Sequence, residues 1–163
     1  MSCVGLRNMD LKFMRLAIAK AQEGVKKGQT PFGACIVKGN RVIALSHNLV
    51  WKKSDIILHA EVVAISSACK KLRTIDLSGC TIYSTCEPCP MCFSACHWAR
   101  IGRIVFGCAI KHAREFGFNE MALSNLKLKE LIKSKIKITS GLVLKENIAL
   151  FEFWRKQAKA GVY

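Results

Sequence analysis

The stretch TCEPCPMC, residues 85–92, constrains this chain more than any other. It follows the β-branched run CTIYST, which reads as a strand over residues 80–85, and it opens a helical pattern running from Cys89 to Ala99. Prolines Pro88 and Pro90 pin the backbone between Cys86 and Cys92. A helix start leaves backbone N–H groups unpaired and carries partial positive charge, so a cysteine placed there favours thiolate over thiol. The cluster therefore has three chemical readings: a redox pair, a structural staple or a metal clamp.

The rest of the chain alternates helix and strand patterns around that junction. Leu11, Met14, Ile18, Ala21 and Val25 recur at spacings of three and four, which predicts an amphipathic first helix ending near Gly24 to Gly28. Gly39 and Asn40 between two apolar segments predict a hairpin. HAEVVAISSACKKL, residues 59–72, predicts a second helix, so His59 also stands at a helix start. IGRIVFG predicts a fourth strand and KITSGLVL a fifth, with a closing helix from Glu146 to Ala160 anchored by Phe151, Phe153 and Trp154. Residues 108–125 read as irregular. This order is that of an α/β chain, a three-layer α/β/α sandwich around a mixed five-stranded sheet, in a single domain over residues 1–163.

A hydrophobic share of 51% is enough for a core without staples, so a metal bound here is expected to be chemical rather than structural. The 26 Lys and Arg against 11 Asp and Glu give a net charge of +15, which makes a polyanion such as RNA a candidate partner. The basic residues are dispersed, and their densest run, LKLKELIKSKIKI over residues 126–138, reads as amphipathic packing with a solvated face. Nine cysteines behind a first segment interrupted by Arg7, Asp10, Lys12, Arg15 and Lys20 predict free thiols in a reducing cytoplasm. No run approaches the roughly 18 uncharged apolar residues of a membrane span, so a soluble protein is expected.

The redox reading rests on Cys89 and Cys92, whose CPMC is similar to the Cys-x-x-Cys of thioredoxin-type oxidoreductases. Those folds also use a downstream cis-proline, and the prolines here stand only at 31, 88 and 90. A four-thiolate staple from Cys86, Cys89, Cys92 and Cys96 would crowd its ligands onto one rigid helix, whereas structural sites join separated pairs. Cys96, like Cys35, Cys69, Cys80 and Cys108, reads as a small buried apolar residue. In the metal reading Cys89 and Cys92, at i and i+3, share one ion with His59 and leave a fourth position open.

His59-x-Glu61 followed by Pro88-Cys89-x-x-Cys92 is the signature of zinc-dependent nucleobase and nucleoside deaminases. Zinc with an open position lowers the pKa of bound water to about 7 from about 15.7, which supplies the hydroxide that attacks the ring. Glu61, a non-ligand at the same helix start, is then the proton shuttle, and Ala60 is small enough to let a base edge approach the backbone.

On these residues the chain resembles the cytidine deaminase-like superfamily, and within it the bacterial-type guanine deaminases. The likeness runs through PFGACIV at 31–37, HNLV at 47–50, HAEVVAI at 59–65, STCEPCPMC at 84–92, HWAR at 97–100 and FGFNE at 116–120. It implies one Zn2+ per subunit on His59, Cys89 and Cys92, and hydrolysis of guanine to xanthine and ammonia. It further implies that Asn48 hydrogen-bonds the base and that Glu120 is a second proton shuttle, a glutamate where many relatives carry aspartate. Phe32 and Trp98 are implied to line the pocket, and Tyr163 to seal it. A homodimer exchanging the segment from about residue 145 to residue 163 is implied as well. The chain is also similar to the tRNA wobble-adenosine deaminases, through RIGRIVFG and the net charge, although CAIKHAREFGFNE replaces their Lys-x-Gly-Ala-x-Gly-Ser pattern. A Cys89–Cys92 thiol oxidoreductase and an RNA-binding module on a retired enzyme scaffold remain as readings of other classes; retention of His59, Glu61, Cys89, Cys92 and Glu120 disfavours the second.

Overall fold

The computed structural model describes residues 3–157 and 161–163, with side chains from residue 8 onward. Its elements are α1 (Cys3–Lys26), β1 (Gly33–Lys38), β2 (Arg41–His47), α2 (Val50–Lys53), α3 (Ala60–Leu72), β3 (Cys80–Cys86), α4 (Pro90–Trp98), β4 (Arg103–Cys108), α5 (Ile110–Glu115), α6 (Asn125–Leu131), β5 (Lys137–Thr139) and α7 (Leu144–Gln157). They form the three layers expected from the alternating pattern.

The five strands lie in the order β2-β1-β3-β4-β5. β1 is antiparallel to both β2 and β3, while β3, β4 and β5 run parallel. Gly39 at φ 57° makes the tight turn of the β1–β2 hairpin, which only glycine adopts without strain. Strand periodicity divides the core in two. Cys35, Val37, Tyr83 and Val105 face Phe13, Met14, Ala17 and Ile18 of α1. Ala34, Ile36, Ile82 and Ile104 face α3 and α4 through Ala64, Ala68, Phe93 and Cys96. Gly33 lets α1 settle onto β1, because a Cβ there would lie 2.9 Å from the Ala21 Cβ.

The C-terminal third departs from the sequence pattern. KITSGLVL is strand only over Lys137–Thr139, because Gly141 and Val143 take left-handed φ values of 73° and 46° and turn the chain into α7. That helix begins at Leu144, ahead of Glu146, and its expected end at Ala160 lies outside the described residues. The segment taken as irregular contains α5, too short to show a period. In the run 126–138, Leu126 and Leu131 are exposed, whereas Ile136 is buried, so the charge alternation overstated its amphipathic packing. Cys35, Cys80, Cys96 and Cys108 are buried as expected, while Cys69 is half-buried.

α7 contacts α1 and β4 and buries Leu150, Phe151 and Trp154. Phe151 is fully buried, edge-on to Phe32 at 5.6 Å and close to Phe116 at 5.1 Å. Phe151→Ala is expected to lower unfolding free energy by about 3–5 kcal/mol, read as a shifted midpoint in urea with an unchanged slope.

Candidate active site

Two helices begin at one edge of the sheet. His59 is the residue before α3 and Cys89 the residue before α4, both in extended backbone conformation, and Cys92 lies one turn into α4. His59 Nδ1 stands 3.7 Å from Cys89 Sγ and 3.6 Å from Cys92 Sγ. A tetrahedral zinc with Zn–N of about 2.05 Å and Zn–S of about 2.3 Å requires N···S edges of about 3.6 Å. The measured separations match that edge, and all three donor atoms lie within 4.8 Å of one another. The imidazole and two thiolates are the ligand set zinc prefers, and three ligands leave the fourth position free for chemistry. The triad fits one zinc ion per subunit.

The electrostatics suit a cation. Of the two thiols Cys89 ionises first: the Cys92 thiol donates to it and, against the penalty of burial, its pKa falls to about 4. Cys92 is pushed up by giving that hydrogen bond and by burial. Burial opposes charge on His59, but the Cys89 thiolate and nearby carboxylates outweigh it and raise its pKa.

Glu61 follows in the first turn of α3 and is buried. Ser84 Oγ donates to its Oε1 at 2.8 Å, and its Oε2 is 3.5 Å from Cys92 Sγ, so the carboxylate is held beside the metal ligands without being one. Burial raises its proton affinity, with His59 opposing. Glu120 approaches from the loop after α5, and burial together with the negative charge of Cys89 and Glu61 raises it to about 7. Phe32, His59, Glu61, Cys86, Cys89 and Glu120 line a narrow inner cleft. It opens, through His59, Cys89 and Glu120, into an outer cavity of about 260 Å³ walled by Ile56, Met91 and Tyr163.

Asn48 is fully buried. Its Oδ1 accepts from Val50 N at 3.0 Å, and its Nδ2 donates to the Tyr163 hydroxyl at 2.6 Å. Tyr163 lines the outer cavity, with its ring 5.8 Å from that of His59. Ala60 is fully buried at the first position of α3, and its side chain offers the cavity no surface. Trp98 is not brought to this site. It stands at the far end of α4, 82% exposed, in a surface depression with Ile75, Asp76 and His97. The helix axis carries a residue six positions beyond Cys92 about 9 Å away along the rise.

Ser84 and Thr30 were missed. Thr30 Oγ1 lies 3.2 Å from the Tyr163 hydroxyl. Ser84 had a signal, since it shares the strand face of Ile82 and is the polar residue where that apolar face meets a helix start.

Cys89→Ser is expected to abolish stoichiometric zinc, measured by elemental analysis after dialysis. Glu61→Gln is expected to keep zinc and lose at least about 100-fold in turnover, the scale of a lost general acid–base group.

The model of the cytidine and deoxycytidylate deaminase zinc-binding region matches residues 7–108. Guanine deaminase of Bacillus subtilis is 37% identical over 155 residues, covering 93% of this chain and 97% of that protein. The tRNA-specific adenosine deaminase of the same organism is 37% identical over 156 residues, covering 93% of this chain and 94% of that one. The solved guanine deaminase from Nitrosomonas europaea superposes with a TM-score of 0.82 at 26% identity, covering 90% of this chain and 84% of that chain. The family match over residues 7–108, the similarity to these relatives over nearly the whole chain and the His59, Cys89 and Cys92 triad together show that the chain belongs to the zinc-binding cytidine and deoxycytidylate deaminase family and is a zinc-dependent aminohydrolase.

Proposed function

We propose that the protein is a guanine deaminase that converts guanine and water into xanthine and ammonia. The observation that carries this reading is Tyr163 in the cavity mouth, hydrogen-bonded to Asn48 and Thr30. A cavity of about 260 Å³ with such a plug suits a free base, whereas a tRNA loop needs an open groove for its flipped nucleotide. The similarity to guanine deaminases from two organisms supports it.

Bound zinc supplies water activated for attack at neutral pH. The protein's own groups do the rest. Glu61, buried and steadied by Ser84, accepts the proton of the attacking water and passes it to a ring nitrogen. Glu120 donates to the amine as the carbon–nitrogen bond breaks, so that nitrogen leaves as ammonia, and takes up the proton released when the added hydroxyl becomes the carbonyl; a carboxyl raised to about 7 is half protonated at neutrality and can do both. Phe32 offers an apolar wall. Asn48 has its carbonyl committed to Val50 N and gives an N–H to the Tyr163 hydroxyl, so as a donor to a base in place of Tyr163 it would favour a ring edge carrying an oxo group or bare nitrogen. An exocyclic amine would meet donor with donor. Ala60 offers its backbone at the first turn of α3, beside His59 and Glu61.

A second reading, deamination of tRNA adenosine, is favoured by the net charge of +15 and by the equally identical relative. For assembly we favour a homodimer in which the segment from about 145 to 163 is exchanged. The left-handed turn at Gly141 and Val143 ahead of α7 offers the hinge, and the buried Leu150, Phe151 and Trp154 form a face that either copy could supply. The free thiols of the described cysteines suit a reducing cytoplasm.

Zinc-loaded protein is expected to release ammonia from guanine and not from adenine, cytosine, guanosine or an anticodon stem-loop. Turnover of the stem-loop alone would establish the second reading instead. Removing residues 161–163 is expected to raise KM and lower kcat while leaving zinc content intact, measured on the same assay; unchanged kinetics would remove Tyr163 from the site.

A further inference from the structure

Glu87 is a buried carboxylate beside the metal triad that no step above uses. Each of its oxygens accepts a backbone N–H from the first residue of a helix. Oε2 accepts from Ile110 N at 3.1 Å, at the start of α5, and Oε1 accepts from Asn125 N at 2.7 Å, at the start of α6. Such N–H groups have no partner inside their own helix, and both helix starts favour negative charge. One carboxylate therefore satisfies two orphaned donors. The neighbouring backbone reinforces the grip: Glu87 N donates to Cys108 O at 2.7 Å, and Asn125 Nδ2 donates to Pro88 O at 2.6 Å. Glu87 and Pro88, immediately before Cys89, thus hold both ends of residues 110–125.

That segment carries Glu120, which finds no side-chain hydrogen bond or ion pair among the described residues to aim it. Its direction is set by its backbone. On one side Phe118 is anchored in the core, with its ring 4.9 Å from Phe32 and 5.0 Å from Trp154. On the other side Met121 is 63% exposed, and the next buried residue is Asn125, held by Glu87.

We propose that Glu87 is a positioning residue that braces the starts of α5 and α6 against the Cys89 loop and so holds Glu120 at the reacting centre. The inference rests on the role given to Glu120 under the guanine deaminase reading.

Glu87→Gln keeps the size but turns one acceptor into an N–H that faces another N–H. In the zinc-loaded full chain, kcat for guanine is expected to fall about 10- to 100-fold, with KM within about threefold, since misplacing an acting group by about 1 Å costs on that order. Zinc content stays at one per chain. In a Glu120→Gln background the same change is expected to cost less than about threefold, because coupled residues are not additive. An equal loss in both backgrounds, or an unchanged kcat, overturns the proposal. Should Glu87→Gln fail to fold, Glu87→Asp, which retains both acceptors on a shorter stem, carries the same cycle. Amide hydrogen exchange across residues 116–124 needs no turnover and is expected to quicken in either variant. Wild-type protein inert toward guanine would discard the substrate reading alone, whereas unchanged exchange over 116–124 would discard the brace.

Discussion

The approach of one imidazole nitrogen to two sulfurs at 3.6 and 3.7 Å depends on α3 and α4 starting at the same edge of the sheet. Sheet topology imposes this. β2 and β3 are each antiparallel to β1, so they run in the same direction and finish at the same edge. The chain leaving β2 reaches His59 and enters α3; the chain leaving β3 reaches Cys89 and enters α4. Because α3 and α4 pack against each other on one face, their first turns converge. The β1–β2 hairpin, remote from the chemistry, is therefore what makes a three-ligand site possible from residues far apart in the chain.

Convergence of helix starts also explains the charge balance. Cys89, Cys92, Glu61 and Glu120 crowd into a low-dielectric space, and each carboxylate is raised by burial and by its negative neighbours. The chain carries 26 Lys and Arg, yet none among the described residues lines the inner cleft or the outer cavity. Positive charge from the protein itself stays outside, and a divalent ion on His59, Cys89 and Cys92 is what balances the site. His59, Cys89 and Cys92 would hold zinc as a neutral imidazole and two thiolates, which would leave Glu61 and Glu120, not being ligands, as the carboxylates free to carry a proton. Among the described residues the basic surplus thus lies outside the metal site.

The metal ligands and Glu61 were legible in the sequence because their geometry is local. Two cysteines at i and i+3, and a histidine two residues before a glutamate, keep their relation on any helix start. Trp98 shows the limit of that logic. It shares α4 with Cys92 and stands in HWAR, one of the stretches that suggested the resemblance, yet the helix rise carries it away from the edge where the ligands converge. Ser84, Thr30 and Glu87 act through partners 23 to 133 positions away, a relation no local pattern encodes. The short β5 was overread for a different reason: LVL has strand propensity, but backbone turns at Gly141 and Val143 override it.

The tail and the loop bearing Glu120 are joined. Asn119 N donates to Tyr163 O at 3.0 Å, and the rings of Phe118 and Tyr163 lie 5.9 Å apart. Tyr163, which lines the outer cavity, thus touches Phe118 and Asn119, the two residues immediately before Glu120. Its ring walls the outer cavity while its backbone carbonyl holds the backbone beside Glu120. A single backbone contact therefore ties the C-terminal residue to the segment that carries Glu120, independently of the residues that would hold the metal.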